Sequence, residues 1–333
     1  MDNIFVTFTP YHVLLAYTIA STNKEKNYLV VIDDAVNLKE LSEAIKEEKN
    51  SPFKDVIFLP GIKKIKTPIQ RYLIIKNNIK LLKKAIKNII IKRVYVCNDS
   101  RPESQLILSY GKRDNALGIY IEDGSAAYYG LVLKRKKIKT LLGKLIYGRW
   151  WENIEILGTS SYIDQIRAIF PEDIRVELRK KKVKILGINK KQFLSLKDKS
   201  FVTSFFKKIN INKKDISDIE VIIIISHSEL VRQYLNYKKV IIKMINQLKK
   251  NYKKISVKYH PREKNDFLNL AAFGNIKILP QGIPVELFFL IASNSLKLIV
   301  GDISTSLLTA RWLFPHIKTV SYTHLTLPTT ERV

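Results

Sequence analysis

A chain of 333 residues, 46% hydrophobic and 10% aromatic, holds enough apolar material for two packed cores and is too apolar to be disordered. Lys and Arg number 58 against 30 Asp and Glu, a formal net charge of +28 that favours anionic partners, although part of it reflects a Lys-, Ile- and Asn-rich composition. Residues 1–9 lack the charged and apolar regions of a secretory signal, the apolar runs are too short or too interrupted to span a bilayer, and the single cysteine, Cys97, excludes an internal disulfide. A cytoplasmic protein is expected. The basic clusters at residues 134–139 and 179–184, with Trp150 and Trp151 between them, add an expected peripheral contact with the anionic inner membrane face.

Residues 4–8 form a β-rich run, followed by Thr9-Pro10, an N-cap with proline in the first turn, and a periodic segment at 13–20. Further strands are expected at 28–32, 56–59, 93–97 and 117–121, and helices at 38–49, 72–91 and 103–109. This βαβα alternation predicts a parallel sheet covered on both faces. Apolar runs recur at 154–157 and 183–186, then residues 189–218 read as an interdomain stretch. A second alternation follows, with strands at 221–225, 255–259, 276–279 and 296–300 and helices at 230–249, 285–292 and 304–313. The expected fold class is α/β, with two facing Rossmann-like domains at 1–200 and 201–319 and a site in the cleft between them. Residues 320–333 turn abruptly to Thr and Pro, and the string from Val320 to Thr330 resembles a translated sequencing adapter; they are expected to be foreign, with the native C-terminus missing.

Three constellations end predicted strands, the edge at which open parallel sheets bind ligands. Glu122-Asp123-Gly124 follows the strand at 117–121; its acids suit a general base, or simply a chain reversal at Asp-Gly. His260-Pro261-Arg262 follows the strand at 255–259, where an imidazole beside a guanidinium suits an anionic leaving group and Lys258 adds charge on the same face. Gly301-Asp302-Ile303-Ser304-Thr305-Ser306 opens a helix, where hydroxyls and the positive helix end favour phosphate, or merely cap the helix.

Their combination and order resemble the bacterial sialyltransferases and polysialyltransferases, which share an acidic-acidic-Gly, a His-Pro and a Ser/Thr-rich motif. The opening at residues 4–20, with Thr9-Pro10-Tyr11-His12, likewise resembles the family 52 glycosyltransferases and their polysialyltransferase relatives. The resemblance implies a GT-B fold and an inverting, metal-independent transferase that moves sialic acid from CMP-sialic acid to a glycan or glycolipid acceptor of the cell surface, in a capsule or lipooligosaccharide. It implies no metal and no cofactor besides the donor. Asp123, or Glu122, would deprotonate the acceptor hydroxyl, and His260 would stabilise or protonate the departing phosphate. Ser304 and Ser306, with Thr305 and Arg262, would hold that phosphate; Glu286 would lie near the ribose, and Ser226 with its neighbours would line the nucleotide cleft.

Other readings remain open on the sequence. A metal-dependent transferase would draw on Asp33-Asp34, which lack the usual aspartate-any-aspartate spacing. A transferase of similar architecture would use another activated sugar or an alditol phosphate. A basic nucleic-acid-binding protein would explain the charge, but no recognisable nucleic-acid motif accompanies the dispersed lysines.

Overall fold

A computed structural model describes residues 1–322 except residues 64, 131, 133–136, 233, 235, 264, 275 and 303, and in residues 137–139 the backbone alone. Its contacts divide the chain into two compact units, Met1–Ile209 and Asn210–Val333.

The first unit holds strands β1 (Asp2–Thr7), β2 (Asn27–Asp33), β3 (Phe53–Pro60), β4 (Ile91–Val96), β5 (Leu117–Ile121), β6 (Gln165–Ala168) and β7 (Lys184–Gly187). They form one sheet in the order β3-β2-β1-β4-β5-β6-β7, every neighbouring pair parallel. Its helices are α1 (Pro10–Ala20), α2 (Leu38–Glu47), α3 (Pro68–Ile86), α4 (Pro102–Arg113), α5 (Lys137–Tyr147), α6 (Val176–Arg179), α7 (Lys190–Leu194) and α8 (Ser200–Lys208). Helix α1 is buried from His12 to Ala20, as expected of a helix apolar on all sides, and Thr9 caps it by accepting the His12 N–H at 3.3 Å.

The second unit holds β8 (Val221–Ile225), β9 (Ile255–Tyr259), β10 (Ile276–Ile278), β11 (Leu298–Gly301) and β12 (Lys318–Ser321), again all parallel, in the order β10-β9-β8-β11-β12. Strand β8 reads Val-Ile-Ile-Ile-Ile and is buried throughout, the pattern of a central strand covered on both faces. Its helices are α9 (Ser228–Val231), α10 (Tyr237–Leu248), α11 (Val285–Ile291) and α12 (Thr305–Leu313).

Several expectations move. Helix α8 packs with the first unit: Phe201 lies 4.6 Å from the Tyr17 ring, Ser200 Oγ donates to Glu48 at 2.8 Å and Lys208 Nζ donates to Glu47 at 2.8 Å. The units therefore divide after residue 209 rather than 200, because the amphipathic face of α8 is covered by α1 and α2. The sixth strand is Gln165–Ala168, not the apolar run at 154–157. The helix expected at 230–249 is two pieces, α10 starting at the buried Tyr237. Residues 320–322 are part of the fold: Val320 pairs with Val300, and the buried Tyr322 shares a 2.7 Å hydrogen bond with Tyr237 and donates to the Ile224 carbonyl at 3.0 Å. The rest of the expected foreign tail, with the Thr- and Pro-rich string, lies outside the described residues.

The tryptophans also sit differently from expectation. Trp151 is buried, and Trp150 is half-buried against the core of the first unit. Of the cluster at 134–139, the first three residues and the remaining side chains lie outside the described set. Among the described residues no helix is long and apolar enough to cross a membrane.

Candidate active site

In the first sheet the strand order reverses direction between β1 and β4, and open sheets of this kind take ligands outside the carboxyl ends of the strands at that point. Residues that follow β1 and β5 meet at this edge. Thr9-Pro10 turns the chain from β1 directly into α1, which places Tyr11 and His12 at this edge. Glu122 and Asp123 leave the end of β5.

His12 is buried, and its Nε2 lies 2.7 Å from Asp123 Oδ1. The Phe8 N–H points at Nδ1 from 3.4 Å, so Nδ1 is the acceptor and the proton sits on Nε2, donated to Asp123. The Asp123 side chain keeps 29% of its surface exposed, against none for Glu122. That difference separates the two acids. Glu122 Oε1 accepts from the Tyr11 hydroxyl at 2.9 Å, and Oε2 accepts from the Ile169 N–H at 2.8 Å and from the Tyr128 hydroxyl. Burial pushes its carboxyl up to about 7, opposed by the hydrogen bonds from Tyr128, Ile169 and Tyr11. Glu122 thus ties α1, β6 and the turn after β5 together, while Asp123 is the carboxylate a ligand can reach.

Asp34, half of the adjacent aspartate pair, is occupied otherwise. Its Oδ1 accepts the N–H groups of Ile62 and Lys63 at 2.8 and 3.0 Å, and Oδ2 accepts from Arg101 at 2.5 Å. Arg101 also lies 3.5 Å from the buried Glu103 and covers the Phe8 ring at 4.9 Å. Among the described residues no group of three or more His, Cys, Asp or Glu could hold a metal ion.

In the second unit the corresponding reversal falls between β8 and β11. Ser226, just after β8, donates its hydroxyl to Asp302, just after β11, at 2.8 Å. This bond leaves Ser226 Oγ a hydrogen-bond acceptor toward any ligand. His260 prolongs β9 by donating its N–H to the Ile225 carbonyl at 3.0 Å. Its Nδ1 accepts the Arg262 N–H at 3.1 Å, which leaves the proton on Nε2. Burial lowers the His260 imidazole to about 4, helped by the charges of Arg262, His227 and Lys258, so the ring is a neutral N–H donor near neutrality. The His227 ring stands edge-on to it, centroids 5.4 Å apart, and Glu263 lies 3.4 Å from His227 Nε2 while accepting the Ser228 N–H at 2.6 Å.

Lys258 is buried rather than displayed beside His260; its ammonium donates to the Gln281 carbonyl at 2.9 Å. Burial lowers it to about 7, and burial likewise raises the carboxyl of Glu286 to about 7, each opposed by the charge of the other. Ser304 stands at the N-cap of α12 with extended backbone, yet its hydroxyl makes no capping bond. That Oγ is buried and without a hydrogen-bond partner among the described residues, and Thr305 and Ser306 beside it are half-buried. An orphaned hydroxyl at a helix start is what a bound oxyanion would satisfy.

His12, Glu263 and Asp302 are the residues sequence reasoning did not assign. The Thr9-Pro10 cap was the available signal for His12, since it fixes where the third helical residue sits; nothing marked Glu263.

Two units with parallel sheets, each carrying polar groups at its strand-order reversal, make up a two-domain Rossmann-like fold of the GT-B type. The sequence matches the alpha-2,8-polysialyltransferase (POLYST) family over residues 3–323, and the chain belongs to that family. It is therefore a glycosyltransferase of the sialyltransferase kind, acting with a nucleotide-sugar donor and a glycan acceptor. No curated protein matches the sequence. Among solved structures it is similar to an alpha/beta-galactoside alpha-2,3-sialyltransferase from Photobacterium phosphoreum, with 16% identity, a TM-score of 0.56, and coverage of 96% of this chain and 90% of that one. It is also similar to the GT-B domain of a Photobacterium damselae sialyltransferase, with 13% identity, a TM-score of 0.54, and coverage of 96% and 89%. A Methanocaldococcus jannaschii UDP-GlcNAc 2-epimerase gives 16% identity, a TM-score of 0.56, and coverage of 96% and 83%. At these identities the likeness is one of fold.

Proposed function

We propose that the protein transfers sialic acid from CMP-sialic acid to a cell-surface glycan of a capsule or lipooligosaccharide, by a single inverting displacement without a metal ion. Asp123 is the general base: it is the exposed acid at the strand edge, and the buried His12 holds one of its oxygens and leaves the other for the acceptor hydroxyl. As the hydroxyl attacks the anomeric carbon, its proton passes to Asp123 and CMP departs from the opposite face, which inverts the centre.

The leaving phosphate is held by the second unit. His260 presents Nε2–H to it as a neutral donor, a role consistent with an imidazole lowered to about 4, and a phosphate is a good enough leaving group to need no full protonation. Ser304, Thr305 and Ser306 at the start of α12 and the adjacent Arg262 complete the anion site, with Glu286 and Ser226 serving the nucleoside. The observation that carries this reading is the His12–Asp123 pair on a chain of the polysialyltransferase family.

The test is CMP release from CMP-sialic acid by the full chain, with and without chelator and with other nucleotide sugars as competitors. Release that is acceptor-dependent and insensitive to chelator supports the proposal; preference for another activated sugar or an alditol phosphate donor refutes it.

A further inference from the structure

The second unit places a carboxylate behind His260 that the transfer step itself does not use. Glu263 ends the tight turn after β9: its N–H donates to the His260 carbonyl at 2.9 Å across Pro261 and Arg262, a four-residue turn with proline at its favoured second position. Its side chain is only 9% exposed. There Oε1 accepts the Ser228 N–H at 2.6 Å and lies 3.4 Å from His227 Nε2. His227 Nδ1 accepts the Glu229 N–H at 3.3 Å, so the imidazole proton sits on Nε2 and faces the carboxylate. One oxygen thus grips both the backbone and the side chain of the turn that follows β8. The ring it holds stands edge-on to His260, with 5.4 Å between centroids and 78° between planes.

A buried carboxylate beside a group that serves a phosphate costs desolvation and repels the ligand, so it needs a compensating task. We propose that Glu263 is a positioning residue for the leaving-group donor: it locks the turns after β8 and β9 together and, through the His227 ring, fixes the direction in which His260 Nε2–H points. It acts on orientation and carries no proton in the step. The inference rests on the role proposed above for His260, but not on which nucleotide sugar is the donor.

A double-mutant cycle in kcat tests it, read as CMP release from CMP-sialic acid by the full chain. Glu263→Ala should lower kcat about 10- to 100-fold with KM little changed, because the bond to the leaving phosphate strengthens only as the sugar departs. Glu263→Gln keeps an amide oxygen for the Ser228 N–H and the His227 Nε2–H and should retain most of the wild-type kcat. Glu263→Ala/His260→Ala should be no slower than His260→Ala, since a residue that only aims His260 then has nothing left to aim. Full addition of the two losses, wild-type kcat in Glu263→Ala, or a loss in Glu263→Gln as deep as in Glu263→Ala overturns the proposal. Nitrogen-15 spectra of the histidines read the same ring without turnover: wild type and Glu263→Gln should show His260 as a single Nε2–H tautomer, and Glu263→Ala a mixture. An enzyme that refuses CMP-sialic acid yet shows this contrast refutes the donor and supports the positioning role; a single tautomer in Glu263→Ala overturns that role.

Discussion

His12 Nε2 and Asp123 Oδ1 are 2.7 Å apart although 111 positions separate them in the chain. The first comes from the first turn of α1, just after β1, and the second from the end of β5, and the Phe8 N–H fixes which imidazole nitrogen carries the proton. A carboxylate that accepts such a bond at one oxygen is held in place with the other oxygen free to act. Asp123→Asn should lower kcat by roughly 10²- to 10⁴-fold, the usual value of a general base. His12→Ala should cost less, about tenfold or somewhat more, because the base remains but is no longer positioned. The fall should appear in kcat rather than KM and be partly reversed in His12→Gln. Steady-state kinetics on the three variants check this; equal kinetics of His12→Ala and wild type contradict it.

Glu122 makes a prediction about stability. Burial holds its carboxyl at about 7 against an ordinary value of 4.5, so the native state keeps a proton that the unfolded chain has lost. Its contribution is therefore fully present below the ordinary value and disappears as pH rises through about 7. Thermal melts from mildly acidic to mildly alkaline pH should fall more steeply for wild type than for Glu122→Gln. Parallel pH profiles would show that Glu122 is ionised throughout. Because the side chain is enclosed, Glu122→Gln should also retain more turnover than Asp123→Asn.

The neutral state of His260 separates a hydrogen-bond donor from a proton donor. With the imidazole at about 4, the free enzyme should show no kcat/KM limb near neutrality that vanishes in His260→Gln. His260→Gln, whose amide can still donate, should keep much of the activity, whereas His260→Ala should lose about 10²- to 10³-fold. Equal losses in both would return the role to proton transfer.

Lys258 and Glu286 are buried opposite charges that oppose each other's neutralisation. Removing one takes away the charge that opposes the other's neutralisation. Lys258→Met and Glu286→Leu should each destabilise the fold by about 3 kcal/mol or more, and the double variant should recover much of that loss. Denaturant melts of the four proteins measure the coupling, and additive losses would place the two groups in separate environments.

Much of the architecture was legible because parallel sheets write themselves as apolar runs followed by periodic segments. The Val221–Ile225 run could hardly be anything but a buried central strand, and the three motifs at strand ends fell at the carboxyl edges of the sheets. What was not legible depended on partners distant in sequence. Glu122 and Asp123 look equivalent as neighbours, and only the enclosure of Glu122 by Tyr11, Tyr128 and Ile169 assigns them different work. Lys258 reads as a free charge beside His260 until the Gln281 carbonyl and the walls around it are known. The lysine-rich stretch at 189–218 reads as a connection between domains, since the apolar face of α8 within it is recognisable only against Tyr17. Trp150 and Trp151 advertised an interface, but Gly143 admits Trp151 beneath α5 and the leucines are what remain outside.

The central claim is that Asp123 activates the acceptor while His260 serves the departing CMP in one metal-free step. Acceptor-dependent CMP release from CMP-sialic acid in the presence of chelator, compared among wild type, Asp123→Asn and His260→Ala, tests it most directly. The account predicts brisk release by wild type and a fall of about 10²-fold or more in each variant, with the product linkage inverted relative to the donor. Undiminished release by Asp123→Asn, or release that stops when divalent ions are removed, would contradict it.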